Sequence, residues 1–303
     1  MKASLFSRIK LFIFKHKILI SCLALVFYFF FLLMSLLAPK SYGEVPGIAP
    51  KDPYGRTYAI GNLGGRPVVL LESVTYANIR LVEYEDSPFF DFDKKRIKLS
   101  ERTYDSVISA FGFELRYTDG VYYDLLNKEI YCQFKKEHNQ PGNDWVSVTV
   151  LSGSGYPKVP NLLDRYLDNY LEEYPNKPEF WAYKKLPESQ FGLEVYTVPG
   201  IDSKTGLPWR QEKDDIFVNR NQYGEADTFI KCSNRNVPRP PCRQYFQILK
   251  DMKVEVSLGY NRQILPNWRE IQAAAKKAVL RFDIKNPIDS VWAQQQNIPK
   301  ICT

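Results

Sequence analysis

Histidine, a side chain often used for nucleophilic or metal chemistry, is nearly absent from this chain. The two histidines are His16 and His138. A Ser-His-Asp triad needs a histidine base, and a zinc site built around one histidine would need cysteine or carboxylate as its other ligands. His138 is the candidate for either role, but it lies in the polar loop 135–143, so we interpret it as a solvated side chain.

The acidic run Glu83–Asp93 is the densest group of carboxylates in the sequence. Such a run could supply the acid and base of a glycosidase or the oxygen ligands of a calcium ion. It lacks the glycine and the terminal glutamate spacing of an EF-hand, and the basic triplet 94–96 follows it directly, so a solvated loop is the interpretation we favour. Two aromatic residues within the run, Phe89 and Phe90, are our candidate contact residues for a partner.

The segment Leu151–Tyr156 is rich in glycine and serine, but its spacing is that of neither a phosphate-binding loop nor a nucleophile elbow. It predicts a turn between a strand and a helix. The sequence therefore predicts no catalytic residue, no metal ligand and no residue that binds a cofactor.

The remaining chemistry is that of the cysteines, of which Cys22 falls in an apolar segment. Cys232 and Cys242 enclose a short loop with three prolines, and in an oxidising compartment this spacing predicts a disulfide. Closing that loop would contribute roughly 2–3 kcal/mol in the chain-entropy model. Whether Cys132 pairs with Cys302 is left open, and we interpret the segment Glu129–Phe134 around Cys132 as a strand.

Residues 18–38 carry no charge and are long enough to span a hydrocarbon core of roughly 30 Å. A cleaved signal peptide is the alternative, but its apolar region would be shorter, about 7–15 residues, and would end in a small-x-small motif. Five basic residues precede the segment and Lys40 follows it, which predicts a cytoplasmic N-terminus and an anchored chain in a bacterial inner membrane. The C-terminal domain would then be periplasmic.

The net charge of +7 belongs mostly to this N-terminal region. The first 40 residues hold six Lys or Arg and no acidic residue, so the other 263 residues carry about +1. Anionic lipid headgroups attract such a flank. A nucleic-acid-binding domain would need its basic residues on the folded part, so we expect no nucleic-acid partner.

The sequence predicts five regions. They are a cytoplasmic basic stub (1–17), a transmembrane anchor (18–38), a linker rich in proline and glycine (39–53), a periplasmic domain (54–284) and a C-terminal tail (285–303). Strand-like runs at Thr57–Gly61, Pro67–Leu71 and Ile79–Tyr84 open the domain, the first two across a Gly64-Gly65 turn.

The later part of the domain reads as two pseudo-repeats, about 111–174 and 191–283. Segment 111–118 resembles 191–197, and 145–151 resembles 253–260. Between them, Glu129–Phe134 of the first repeat occupies the place that Asp215–Arg220 occupies in the second. Each repeat ends in a helix with an apolar stripe, and Asn161 and Asn267 are its expected N-caps, each followed by an acidic residue as in a capping box. The fold class is therefore α+β, with an antiparallel sheet and one packed helix in each repeat.

Four segments, 62–68, 82–86, 111–117 and 265–270, together with the anchor and the linker, resemble membrane-anchored periplasmic proteins encoded beside type VI secretion effectors. The resemblance covers most of the periplasmic domain, but these motifs mark a fold and not a reaction. It implies an immunity or accessory protein that intercepts an incoming toxin, and it brings no catalytic residue.

Three functions follow as hypotheses. The first is a periplasmic binding protein, an immunity protein that neutralises a secreted antibacterial protein toxin. The second is an accessory or structural component of envelope assembly or secretion, bound to an envelope protein. The third is an envelope-acting hydrolase, which two carboxylates converging in one cleft would favour.

Overall fold

The computed structural model describes residues 27–28, 49–51, 55, 57–70, 82–86, 101–156, 159–173, 177–286 and 302. The chain divides into two compact units, Met1–Glu44 and Val45–Thr303, and the fold given below is that of the second unit. The predicted anchor lies outside the described residues except for Phe27 and Tyr28. Within the described ranges, no helix has both the length and the apolar character needed to cross a membrane.

A ten-stranded antiparallel sheet is the centre of the unit, with strands in the order β3-β4-β6-β12-β11-β10-β9-β8-β7 and β5 paired to β4. The strands are β3 (Glu83–Tyr84), β4 (Ile108–Arg116), β5 (Val121–Tyr122), β6 (Trp145–Leu151), β7 (Lys184–Lys185), β8 (Glu194–Thr197), β9 (Asp214–Arg220), β10 (Ala226–Ser233), β11 (Pro241–Ile248) and β12 (Val254–Asn261). β7 to β12 follow one another as a meander, and β12 then pairs with β6. The expected sheet-rich α+β class is confirmed.

A separate hairpin, β1 (Ala59–Leu63) and β2 (Arg66–Leu70), contributes to the same hydrophobic core. Its turn is the expected Gly64-Gly65 pair, at φ of 57° and 92°. Gly64 is required on two counts, because an L side chain is strained at that φ and an added Cβ would lie 2.6 Å from the backbone nitrogen of Lys253. The strands predicted at 57–61 and 67–71 are therefore present with small shifts of their bounds.

Within the described ranges, three helices pack on the sheet: α1 (Lys128–Glu137), α2 (Leu162–Leu171) and α3 (Trp268–Leu280). α3 lies on one face, where its buried stripe of Trp268, Ile271, Ala275, Ala278 and Val279 joins the valines of β6 and β12 in the largest core cluster. We call this the core face. The expected apolar stripe of α3 is confirmed.

α1 and α2 belong to the opposite face of the sheet. α2 buries Leu163 and Leu167 against Val218 and Phe229. α1 buries Ile130 beside Trp145 and Val121 in a separate small cluster. The helices therefore cover two different regions of this second face.

The expected capping boxes are wrong. Asn161 and Asn267 do stand at the N-cap positions, but neither side chain accepts a hydrogen bond from its helix. Asn161 is in the left-handed region at φ 51°, while Asn267 donates through Nδ2 to the Tyr117 hydroxyl. The carboxylate of Asp164 instead accepts hydrogen bonds from Arg220 and from the amide of Ala226, so a tertiary contact replaces the local cap.

The strand expected at Glu129–Phe134 is also wrong, because these residues lie within α1. The side chain of Asn127 accepts hydrogen bonds from the amides of Glu129 and Ile130 and so begins a helix there. The matched segment Asp215–Arg220 is a strand, so this element of the repeat differs between the halves. The strands of both halves also form one sheet and not one sheet each. The duplication itself stays a hypothesis.

Two disulfides cross-link the unit. Cys232 and Cys242 are cross-strand partners on β10 and β11, and Cys132 on α1 is joined to Cys302 near the C-terminus, 170 residues away. The pairing of Cys132, which the sequence left open, is therefore with Cys302.

We expect non-reducing peptide mapping of the full chain to recover both linked pairs, because each pair already lies at bonding distance in the fold. Free thiols at these four positions, or a Cys132–Cys232 cross-link, would contradict this arrangement.

Candidate functional site

A polar trough opens on the second face of the sheet. It encloses about 290 Å³ and is lined by β4, β6, β12 and β11. The hydrophobic clusters of α1 and α2 flank the trough on its two sides. Trp145 of the α1 cluster lies two residues before Ser147, which lines the trough. Tyr245, which packs against the α2 cluster, is the cross-strand partner of Ser257, another lining residue. The trough is the part of this face that lies between those two clusters.

The floor of the trough consists of small residues because side chains of a strand alternate between faces. The valines of β6 and β12 point to the core together with Leu258. This leaves Ser147 and Thr149 beside Gly259 and Ser257 on the opposite face. Gly112 on β4 continues this floor next to Thr149. Three hydroxyl groups therefore line a surface with little side-chain bulk.

Charged residues stand at the two ends of one cross-strand row. Arg243 on β11 pairs with Gly259, Gly259 with Ser147, and Ser147 with Glu114 on β4. The Ser147 hydroxyl donates a hydrogen bond to the buried Glu114 carboxylate. The guanidinium of Arg243 is exposed and, among the residues that the structure describes, pairs with no carboxylate. The trough thus has an exposed arginine at one wall and a buried glutamate at the other.

A second buried carboxylate, Glu255, lies on β12 two residues before Ser257. It is 2% exposed and accepts hydrogen bonds from the Tyr166 hydroxyl of α2 at 3.1 and 3.3 Å. Burial raises the pKa of Glu255, and the hydrogen bond from Tyr166 opposes that shift only in part. Glu255 therefore holds α2 beside the trough through the Tyr166 hydroxyl. Its ionised form lowers the stability of the folded protein.

We expect Glu255→Gln to stabilise the protein at pH 7. The pKa of Glu255 is raised on folding, so the wild-type carboxyl contributes its full stability below the ordinary value of 4.5 and loses it as the pH rises through the folded pKa. Glutamine keeps an oxygen for Tyr166 and carries no charge. Thermal unfolding at pH 4 and pH 7 should show a gain in Tm for the variant that is larger at pH 7. Glu188→Gln, in an exposed loop, is the control, and an equal gain at both pH values would contradict the assignment.

The residues proposed from the sequence fall in several places. Phe89 and Phe90 lie outside the described residues, as does the acidic run beyond Asp86. Of the rest of that run, Glu85 accepts a hydrogen bond from the amide of Ser154, and Asp86 forms an ion pair with Arg102. The expected turn at 151–156 is present as the 3-10 helix Gly153–Gly155.

His138, expected to be solvated, is partly buried. Its ring stacks on Phe134 with centroids 4.4 Å apart, and Arg239 donates to its backbone carbonyl at 2.7 Å. Burial, with a smaller contribution from Arg239, lowers the pKa of His138. Cys132 is engaged in its disulfide.

An exposed aromatic group lies at the other end of the sheet. Phe180 contacts Trp181 and Trp209 at centroid distances of 6.0 and 5.6 Å, and the Lys213 ammonium lies 4.5 Å from the centroid of the Trp181 ring. Trp181 is 42% exposed. Aromatic residues that stay partly exposed are typical anchors of protein interfaces.

Sequence reasoning missed the trough. The signal for it was the alternation of residue types in 145–151 and 254–260. In both segments valine or leucine alternates with serine, threonine, glutamate or glycine, which indicates a strand with one polar face. The pairing of β12 with β6 joins residues about 110 positions apart in the chain, and no local pattern predicts such a contact.

Comparison with known proteins adds one structural neighbour. The chain matches no protein-family model and no curated protein. The solved structure of Smlt3025, an immunity protein of the Stenotrophomonas maltophilia type IV secretion system, is 14% identical, with a TM-score of 0.42 over 78% of this chain and 99% of that chain. Similarity at this level establishes neither the fold nor the function of this chain. The neighbour belongs to a type IV system, whereas the resemblance read from the sequence is to proteins of type VI systems.

Proposed function

We propose that this chain is a membrane-anchored periplasmic immunity protein that binds a secreted antibacterial protein toxin and acts without catalysis. The observation that carries the proposal is the trough, an open, concave surface on the sheet that is lined in part by hydroxyl and charged side chains. Ligand pockets for small molecules are mostly apolar and enclose roughly 300–1,000 Å³. The trough, at about 290 Å³, lies just below that range, and its lining includes three hydroxyls and two charged side chains, which suits a protruding part of another protein.

The two disulfides support the periplasmic location, because such bonds persist in oxidising compartments and are rare in the cytosol. The apolar segment 18–38 and its basic flank support a single anchor with the N-terminus in the cytoplasm. Together they support a periplasmic trough, which a toxin delivered into that compartment would meet.

The envelope accessory is the alternative binding function. The resemblance to proteins encoded beside type VI effectors is shared by both roles, and a toxin gene next to this one would favour the immunity role. For the hydrolase, the distinguishing feature would be two carboxylates converging in a cleft. Among the described lining residues Glu114 is the one carboxylate, and Glu255 is held by Tyr166 beneath α2.

A complementation experiment in a deletion strain tests the proposal. The full chain, and the domain from residue 40 sent to the periplasm on a cleavable signal, should both restore survival against sibling cells that carry the cognate secretion system. The same domain retained in the cytoplasm should fail, because it never meets the toxin. Protection by the cytoplasmic form would contradict the proposed location.

The same assay separates binding from catalysis. We expect His138→Ala, Glu85→Gln and Asp91→Asn to protect as well as the wild type wherever the protein folds, since a binding interface distributes its energy over several contacts. If one such conservative change abolished protection in a folded protein, the hydrolase would replace the immunity protein as the better hypothesis.

A further inference from the structure

We infer that the trough binds an extended segment of the partner protein that places an acidic side chain against Arg243. This inference rests on the proposed function, of which it names the contact. It assigns the occupant of the trough by shape, charge and hydrogen-bonding capacity.

The shape favours an extended chain. Arg243 and Glu114 are three strand spacings apart, roughly 14 Å at about 4.8 Å per spacing. An extended segment rises about 3.3 Å per residue and crosses that distance in about four to five residues. The glycines and hydroxyl residues between the two walls leave room for its backbone along the whole row.

The charges set the polarity of the segment. Arg243 is exposed, and within the described residues its guanidinium has no carboxylate partner, so its five N–H donors are available for the carboxylate of a ligand. The nearest cation along the row, Lys231, is occupied by Asp214 at 3.6 Å. An acidic side chain is therefore complementary to the β11 wall, and a basic one is repelled from it.

Hydrogen bonding fits the same occupant. The strands beneath the trough already pair their backbone groups with one another, so a new segment cannot extend the sheet there. The hydroxyl of Ser257 stands above that ladder and can bond to a peptide group of a segment that crosses the strands, and the Ser147 oxygen, whose hydrogen is donated to Glu114, can accept a hydrogen bond from it. Side-chain hydroxyls can both donate and accept, which suits a peptide backbone of any sequence.

Photo-crosslinking of defined peptides to the full chain in detergent micelles tests the inference. The probes are three nine-residue peptides with acetylated and amidated ends, composed of glycine and serine, with photo-leucine at position six and Asp, Asn or Lys at position five. We expect the Asp peptide to label the segments 147–149 and 243–259 about tenfold more than the Lys peptide, because an arginine anchor of an interface is typically worth a decade or more in affinity.

Matched variants assign the preference to Arg243. Arg243→Gln should remove the difference between the Asp and Lys peptides, whereas Arg165→Gln, at an exposed position of α2, should preserve it. Ser257→Trp should block labelling by all three peptides by filling the floor, with thermal unfolding as the check that it folds.

Two results would overturn the inference: equal labelling by the Asp and Lys peptides, or competition by N-acetyl-aspartate amide as effective as that of the Asp peptide, which would mark a small-acid site. Neither depends on survival assays. Preferential labelling without protection in cells would leave the trough assigned and would refute the immunity role alone.

Discussion

Trp268→Ala should lower the free energy of unfolding by roughly 3–5 kcal/mol, the usual cost of truncating a large aromatic residue in a core. Trp268 begins α3, is 3% exposed and donates from Nε1 to the carbonyl of Phe191 at 3.1 Å. Its loss removes both a large buried surface and the hydrogen bond that ties α3 to the segment before β8.

Urea denaturation of the wild type and the variant measures this cost through the shift in midpoint at unchanged slope. Trp181→Ala is the matched control, because this exposed tryptophan should cost less than about 1 kcal/mol. A cost for Trp268→Ala as small as that of the control would mean that α3 does not close the core face.

Removing Asp215 should be comparably destabilising. This carboxylate is fully buried on β9 and accepts hydrogen bonds from Arg210 at 2.9 and 2.8 Å and from Arg262 at 2.7 Å. Breaking a buried ion pair by deleting one partner typically costs roughly 3–5 kcal/mol, since it leaves an uncompensated charge. We therefore expect Asp215→Ala to cost about that much at pH 7.

The pH dependence distinguishes this ion pair from simple loss of packing. Burial alone would raise the pKa of Asp215, but the hydrogen bonds from Arg210, Arg262 and Asn234 outweigh burial and hold the pKa below its ordinary value of 3.8. A depressed pKa contributes stability above 3.8 that is lost as the pH falls through the folded value. The difference between wild type and Asp215→Ala should shrink in strong acid.

Asp214→Ala serves as the comparison, because this carboxylate is 40% exposed and its partner Lys231, at 3.6 Å, is itself 31% exposed, so that neither charge is buried. It should cost about 1 kcal/mol or less. If the penalty for Asp215→Ala were equally small, or independent of pH, the buried pair would not be part of the core.

Two of the helices, α2 and α3, and the antiparallel class could be predicted from the sequence because they depend on local periodicity. The stripe from Trp268 to Val279 repeats every 3.6 residues, and its helix lies where the pattern placed it. The capping boxes could not be predicted, because Asp164 has a stronger partner in Arg220, 56 residues away. Tertiary contacts of this kind override a local motif.

The trough was beyond sequence reasoning for a related reason. Its wall residues, Arg243 and Glu114, are far apart in the chain. They come to lie in one cross-strand row only through the pairing of β11, β12, β6 and β4. The local segment around Cys132 was misread because Ile130 and Phe134 are compatible with either period, and the side chain of Asn127 decides in favour of the helix.

Survival of the deletion strain is the measurement that tests the central claim most directly. Cells that lack this gene should die when mixed with siblings that deliver the cognate toxin, and the full chain, expressed at graded levels, should restore survival in proportion to its copy number, because a binding protein neutralises toxin stoichiometrically. If the deletion strain survives every toxin-bearing sibling as well as its parent does, the immunity function is wrong.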